Sequence, residues 1–357
     1  MDAMGEPQPI IDPLTPSAIF LVATIDSGGE SAVRDLLADI SGLRRSIGFR
    51  VPGEGLSCIT SIGSAAWDRL FVGPKPAELH EFPGYHGPIH SAPATPGDLF
   101  FHIRGETQGP CFELAMVIGA RLKGAATIVD ETVGFRYFEQ RDLLGFVDGT
   151  ENPEGPGAAS AALIGDEDPE FTGGSYVIVQ KYTHPLDRWN ALSIEEQERV
   201  IGRTKLADYE LPDDVKPADS HVAVNTIIDP DGTERQIVRA NMPFGTIGTG
   251  EFGTYYVAYA ATPSVTERML ERMFLGTDEA AHDRILDFSS AVTGTLFFTP
   301  TVDFLDDLPD APDASDTSAI EIEPATLPEI VPVERGDATA TARSDGSLAI
   351  GTMKRSI

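Results

Sequence analysis

Asp98–Phe135, DLFFHIRGETQGPCFELAMVIGARLKGAATIVDETVGF, reads as a strand, a helix and a second strand. Leu99, Phe100, Phe101 and Ile103 make Asp98–Arg104 a short aromatic and branched run of strand length. From Cys111 to Leu122 the apolar positions Phe112, Leu114, Ala115, Val117, Ile118 and Ala120 follow helical spacing, and Ala126–Phe135 returns to β-forming residues. Upstream, the strand-like Ala18–Thr24 is broken by Ser27-Gly28-Gly29, after which Val33, Leu36, Leu37, Ile40 and Leu43 recur at helical spacing over Glu30–Arg45. Leu56–Ile62 reads as a strand, Ser64–Leu70 as a short helix, and the Gly-, Pro- and His-rich stretch Val72–Thr95 as a long loop in which His86 and His90 are given no role. The order β-α-β-(α)-β-α-β is that of a ferredoxin-like unit, a sheet with helices on one face.

A similar order recurs downstream. Ser175–Tyr182 is a strand, Ser193–Thr204 a helix opened by a capping box of Ser193 with Glu196, Arg235–Arg239 and Thr254–Ala261 are strands, Thr262–Leu275 and Ala280–Ser290 are helices, and Gly294–Phe298 closes the unit. Two units in tandem predict a duplicated α+β architecture of the dimeric α+β barrel type. The expected organisation is an arm over 1–15, loosely held because of its prolines, a first unit over 16–145 and a second over 146–305. From Thr301 to Ala342 there are eleven acids against one base, Arg335, with five spread prolines, so 306–342 is expected to be a disordered linker. Residues 343–357 pair Leu348, Ile350 and Met353 with a basic end, Lys354-Arg355.

Composition narrows the functional classes. With 26 Lys and Arg against 56 Asp and Glu the formal net charge is −30, which repels nucleic acid and anionic membrane faces. Cys58 and Cys111 are the only cysteines among 357 residues, which favours free core thiols and a reducing compartment over a disulfide framework. The N-terminal stretch carries acids and prolines but no positive charge before the first apolar run, and no apolar run reaches membrane-spanning length. The expectation is a soluble, cytoplasmic protein.

Gly145–Pro153, GFVDGTENP, sets an acid between an apolar approach (Leu143, Leu144, Phe146, Val147) and a turn-forming exit (Gly149, Asn152, Pro153). Asp148 thus stands where a core element gives way to a loop, a frequent setting for catalytic carboxylates, although an Asp-Gly pair alone is more often a plain turn. The stretch resembles the Asp-Gly motif of dye-decolourising peroxidases, especially their B-type members. Three further segments follow in that family's order: Ser220-His221-Val222, Val238–Gly245 (VRANMPFG), and Leu286–Gly294 with Phe297–Pro300.

The resemblance implies a haem b enzyme, one haem per subunit, that reduces hydrogen peroxide and oxidises dyes, phenolic compounds or other one-electron donors. It implies His221 as the proximal iron ligand, with Asp287 as a candidate for the carboxylate bonded to the other ring nitrogen; a helix-start or surface role for Asp287 is the alternative. Arg239 matches the distal arginine, whose guanidinium stabilises charge as the O–O bond breaks, Asp148 would carry the proton between peroxide oxygens, and Asn241 would hold a water beside it. Met242 and Phe244 are expected to pack on the porphyrin or near it. Glu151 and Glu234 fall where some relatives oxidise manganese, against the plainer reading of a solvated surface. Trp67 and Trp189, the only tryptophans, are candidate relays to bulky donors at the surface. The last residues, Asp345–Gly351 (DGSLAIG) with Lys354-Arg355, resemble the loading peptide of encapsulin cargo. That implies an encapsulin shell protein as partner for 343–357, a place inside its nanocompartment, and a homo-oligomer, as relatives loaded into shells are often hexamers. The rivals are a haem-binding or haem-iron-handling protein, and a cargo role in which catalysis is incidental.

Overall fold

The computed structural model describes residues 5–312 of the 357. Its first half runs β1 (Ser17–Ile25), α1 (Glu30–Gly48), β2 (Ser57–Gly63), α2 (Ser64–Leu70), the small hairpin of β3 (Tyr85–His86) and β4 (Ser91–Ala92), β5 (Leu99–Gly105), α3 (Gln108–Leu122) and β6 (Ala126–Phe135). The second half follows α4 (Pro156–Ala162) with β7 (Ser175–Thr183), α5 (Leu186–Asn190), α6 (Ile194–Ile201), α7 (His221–Asn225), the hairpin of β8 (Ile227–Ile228) and β9 (Glu234–Arg235), and β10 (Val238–Arg239). It closes with β11 (Met242–Thr246), β12 (Glu251–Ala260), α8 (Pro263–Leu275), β13 (Ser290–Ala291), β14 (Thr295–Thr299) and α9 (Val302–Asp306).

The main sheet of the first half has the order β2-β5-β1-β6 and that of the second β10-β12-β7-β14. Each is a ferredoxin-like arrangement, in which the first strand of the unit lies between the third and the fourth. β14 then pairs antiparallel with β2, Phe297 opposite Gly63 and Phe298 opposite Ile62, so the two halves share one continuous sheet.

Strand periodicity sorts the core into two layers. On β1, Ile19, Leu21 and Ala23 face the cluster built with α1 and α3, whereas Ala18, Phe20 and Val22 belong to a second cluster with β12 and β14. Inside the latter, Phe20 stacks on Tyr255 at 4.3 Å between centroids and Phe100 on Phe297 at 5.6 Å, so aromatic rings of the first half meet those of the second. At Gly134 on β6 a Cβ would lie 2.8 Å from Met242 Cβ; the missing side chain lets β6 come against β11, which curls the sheet towards a barrel.

Several expectations change. Residues 5–15 are not a loose arm: Gln8 is buried, its Nε2 donates to Thr60 O and Pro300 O, both at 2.8 Å, and its Oε1 accepts from Thr60 N. Beyond α9, Pro309 O accepts from Arg34 and Asp310 O from Val72 N, so the chain stays tied down past residue 306. The expected linker from 313 onward and the terminal peptide 343–357 lie outside the described residues. Ala280–Ser290 is not a helix but a loop with one 3₁₀ turn at Arg284–Asp287, because the Asp283 carboxylate takes the Ile285 N–H and starts the turn afresh. The Arg235–Arg239 strand is split, since Glu234–Arg235 pairs with β8 and Val238–Arg239 with β12. Met242–Thr246, not foreseen as a strand, forms β11 against β12.

Candidate active site

His221 opens α7, a single helical turn capped by Ser220, whose Oγ accepts from Ala223 N at 3.4 Å. Its Nδ1 lies 2.7 Å from Asp283 Oδ2. Asp283 is fully buried, its Oδ2 also accepts from Asn225 Nδ2 at 3.1 Å, and its Oδ1 accepts from Ile285 N at 3.0 Å. A carboxylate so loaded with donors accepts only, so Nδ1 carries the ring proton and Nε2 is left with the lone pair. The carboxylate at the His221 ring is thus Asp283, four residues before Asp287, which instead meets His90 and His282.

Asp148, Arg239 and Asn241 border the same cavity as His221. Gly149 has φ +89°, which any side chain would resist, and the turn it permits presents Asp148 while Asp148 N donates to Gln140 O. Asn241 Nδ2 donates to Asp148 Oδ1 at 3.2 Å, and Asn241 Oδ1 accepts from Val257 N, so the amide is fixed from both ends. Asn152, from the same turn, bonds Arg239 as a strand neighbour would, accepting from Arg239 N at 2.9 Å and donating to Arg239 O at 2.8 Å. Those contacts lock the backbone and leave the guanidinium free: its Nε is buried without a hydrogen-bond partner.

The same cavity is open at one mouth and has a largely apolar wall. Leu144, Ile237, Met269, Leu270, Met273 and Ile285 line it with apolar surface. A planar apolar group with an iron centre, an imidazole offering Nε2 and a half-buried guanidinium whose buried Nε has no partner form a consistent set, so these residues fit a haem.

Two titratable groups on the walls were not foreseen. Burial pushes the Asp142 carboxyl up to about 7, with the charge of Asp148 adding to the rise and the Phe146 N–H opposing it. Burial drives His184 down to about 4; the ring sits neutral between Ser289 Oγ at 2.9 Å and Thr254 Oγ1 at 3.0 Å. Neither residue, nor Asp283, stands in a recognisable motif, and the one local signal was an acid two residues before Ile285 in helix-cap position.

The remaining expected residues lie elsewhere. Met242 borders a smaller neighbouring hollow with Asp148 and Arg239, and Phe244 is covered by the Lys181 ammonium at 4.9 Å; neither lines the main cavity. Glu151 is held by Arg203 at 2.5 Å and Glu234 is exposed on β9, although both border one hollow with Glu210 and Asp213. Trp67 and Trp189 are buried, their indole N–H groups spent on Pro74 O and Leu144 O, so neither is a surface relay.

Comparison with known proteins agrees with this geometry. Residues 7–136 match the family model described as Dyp-type peroxidase, N-terminal, and residues 139–304 the one described as Dyp-type peroxidase, C-terminal. A dye-decolorizing peroxidase of Mycobacterium tuberculosis is 63% identical over 350 residues, 98% of this chain and 97% of that protein. Among solved structures, the encapsulated DyP-type peroxidase from Mycobacterium smegmatis is 66% identical with a TM-score of 0.85, covering 86% of this chain and 100% of its own. A variant of DypB from Rhodococcus jostii RHA1 in complex with heme is 53% identical with a TM-score of 0.83, covering 86% and 100%.

Proposed function

Because this chain belongs to the Dyp-type peroxidase family and is a haem peroxidase, we propose that the cavity shared by His221, Asp148, Arg239 and Asn241 is where it reduces hydrogen peroxide. The observation that carries this reading is the junction at one cavity of a histidine backed by a buried carboxylate with an acid and an arginine whose donors are unspent. His221 Nε2 would hold the haem iron, which supplies the redox equivalents for cleaving the O–O bond. Asp283 increases electron donation from His221 by drawing on the Nδ1 proton. Asp148 takes the proton from one peroxide oxygen and delivers it to the other, so that the latter leaves as water; Asn241 holds the carboxylate in place for both transfers. The Arg239 guanidinium stabilises the negative charge that gathers on the leaving oxygen.

Dyes, phenolic compounds or other one-electron donors return the enzyme to its starting state. Manganous ion as a donor would be met at the hollow of Glu151, Glu210, Asp213 and Glu234, where Glu151 must first release Arg203. The working boundaries remain 16–145 and 146–305 for the two units, then 306–342 and 343–357. The encapsulin-like terminal peptide, together with the M. smegmatis relative solved in encapsulated form, supports packaging of this chain in an encapsulin shell through 343–357. A short apolar peptide on a long tether docks while the folded body stays free.

The test is stopped-flow absorbance of the haem-loaded protein mixed with one equivalent of hydrogen peroxide, beside Asp148→Ala and Arg239→Ala. All three should retain the Soret band, and the first spectral change should slow by about 10²-fold or more in at least one variant. Unchanged rates in both, or haem that peroxide only bleaches, would favour haem handling without peroxidase chemistry.

A further inference from the structure

Away from the cavity, three side chains converge for which peroxide reduction has no use. His90 ends the turn between β3 and β4, where Gly87 N donates to His90 O at 3.0 Å. His282 and Asp287 lie on the loop that carries Asp283, one residue before it and four after. Asp287 Oδ1 is 3.0 Å from His90 Nε2 and 3.2 Å from His282 Nε2, and the two imidazole centroids are 4.8 Å apart. One ligand atom from each of the three residues falls within 4.8 Å of the others, and among the described residues no other group of three or more His, Cys, Asp or Glu does so.

The spacing suits one ion. With metal–nitrogen and metal–oxygen bonds of about 2.0–2.2 Å, neighbouring ligand atoms stand about 3 Å apart at octahedral angles and about 3.5 Å apart at tetrahedral ones. The two separations to Asp287, 3.0 and 3.2 Å, fall in this range and the remaining pair lies within 4.8 Å, so the two imidazoles must close up on an ion by side-chain adjustment. Two imidazole N–H groups sharing one carboxylate oxygen would give similar distances. What distinguishes the cluster is the far side of the rings: His282 Nδ1 is buried with no hydrogen-bond partner, and His90 Nδ1 has none among the described residues. Nothing engages either Nδ1, so each can carry the ring proton once an ion takes the place of the two Nε2 contacts to Asp287 Oδ1. The side chains retain 21% (His90), 16% (His282) and 36% (Asp287) exposure, which gives an ion a path in and leaves room for water as a further ligand.

We propose that His90, His282 and Asp287 form a binding site for a divalent transition-metal ion, and that the bound ion staples the Asp283 loop to the β3–β4 hairpin. Two imidazoles and one carboxylate are borderline donors that fit Zn²⁺ with water in the fourth position; Ca²⁺ and Mg²⁺ prefer oxygen throughout. The site joins parts of the chain far apart in sequence, tying the β3–β4 turn to the loop that carries Asp283. It stands on these three residues alone and does not depend on the assignment of the peroxide cavity.

The experiment uses full-length haem-loaded protein, freed of loosely bound metal by chelation and desalting, titrated with zinc chloride against a chromophoric chelator. One Zn²⁺ should bind per chain, and His90→Gln and Asp287→Asn should each weaken binding at least ten-fold while leaving the Soret band in place. Glu234→Gln should change nothing, which separates this site from the carboxylate hollow. Saturating zinc should raise the melting temperature of the parent and not of His90→Gln. Zinc K-edge absorption of the parent should show two imidazoles in the coordination shell. Absence of stoichiometric binding by the parent, a shell without histidine, or affinity unchanged in both variants would overturn the proposal.

Discussion

Both oxygens of Asp283 are engaged, one by His221 and Asn225 and the other by the Ile285 N–H, so a single carboxylate fixes an imidazole and starts a turn. Asp283→Asn keeps the size and loses the charge. We expect the bound haem's reduction potential to rise and its reaction with peroxide to slow by about 10- to 100-fold, measured by redox titration and stopped flow, while Asp287→Asn leaves both unchanged. Equal effects from the two would return the role to Asp287. His184 carries the second prediction at this scale. Its ordinary value of 6.5 falls to about 4 on burial, so the folded chain binds that proton less well than the unfolded one. Its contribution to stability is therefore whole above pH 6.5 and lost as the pH falls towards 4, about 3 kcal/mol at most. Urea unfolding between pH 7 and pH 4 should show a flatter acid limb in His184→Gln; an unaltered slope would mean the ring is solvated. Asp148, His221, Arg239 and Asn241 were legible because short motifs carry them. Asp283 was not, since the partner of a histidine 62 positions away is chosen by how a loop folds back, which no periodicity records.

Among elements, the N-terminal segment illustrates how a few polar atoms override composition. Pro7, Pro9, Pro13 and Pro16 read as a loose arm, yet Gln8 bridges β2 to the residue after β14 by three buried hydrogen bonds. Gln8→Ala would strand the Thr60 N–H and two carbonyls, and should cost about 2–4 kcal/mol, read from the urea midpoint at constant m. A loss under half a kcal/mol would show that water reaches those groups. The central strands and the helices α1, α3 and α8 were legible because long apolar runs leave little choice of period. The loop over 280–290 imitated a helix because Leu286 and Phe288 are buried and Ile285 partly so, by a chain that turns on Asp283 instead. The capping box at Ser193 and Glu196 is present as read, and the helix stops at Gly202, φ +94°, two residues before the expected end.

For the molecule as a whole, the tandem of ferredoxin-like units was readable from element order, whereas the curl that brings β6 against β11 rests on Gly134, which no pattern singles out. β6 borders only β1 within the sheet, and Ile128, Val129, Val133 and Phe135 are exposed along it. An apolar margin of this kind is a natural self-association surface, so sedimentation should show an oligomer, and Val129→Lys with Val133→Lys should lower its mass. A monomer at working concentration would remove the hexamer from consideration. Deleting residues 343–357 should leave peroxide turnover unchanged and abolish co-purification with a co-expressed encapsulin; retained loading would sink the packaging proposal. One property of the sheet bears on that packaging. β14, the last strand among the described residues, sits at its centre between β7 and β2. A ribosome that stalls before Thr295 releases two half-sheets without the strand that pairs them, and at roughly 5–20 residues per second the proposed address follows only seconds behind that seam. Under the proposed packaging, a polypeptide cut short would lack the shipping label as well, and admission to the compartment would be an inspection for completeness.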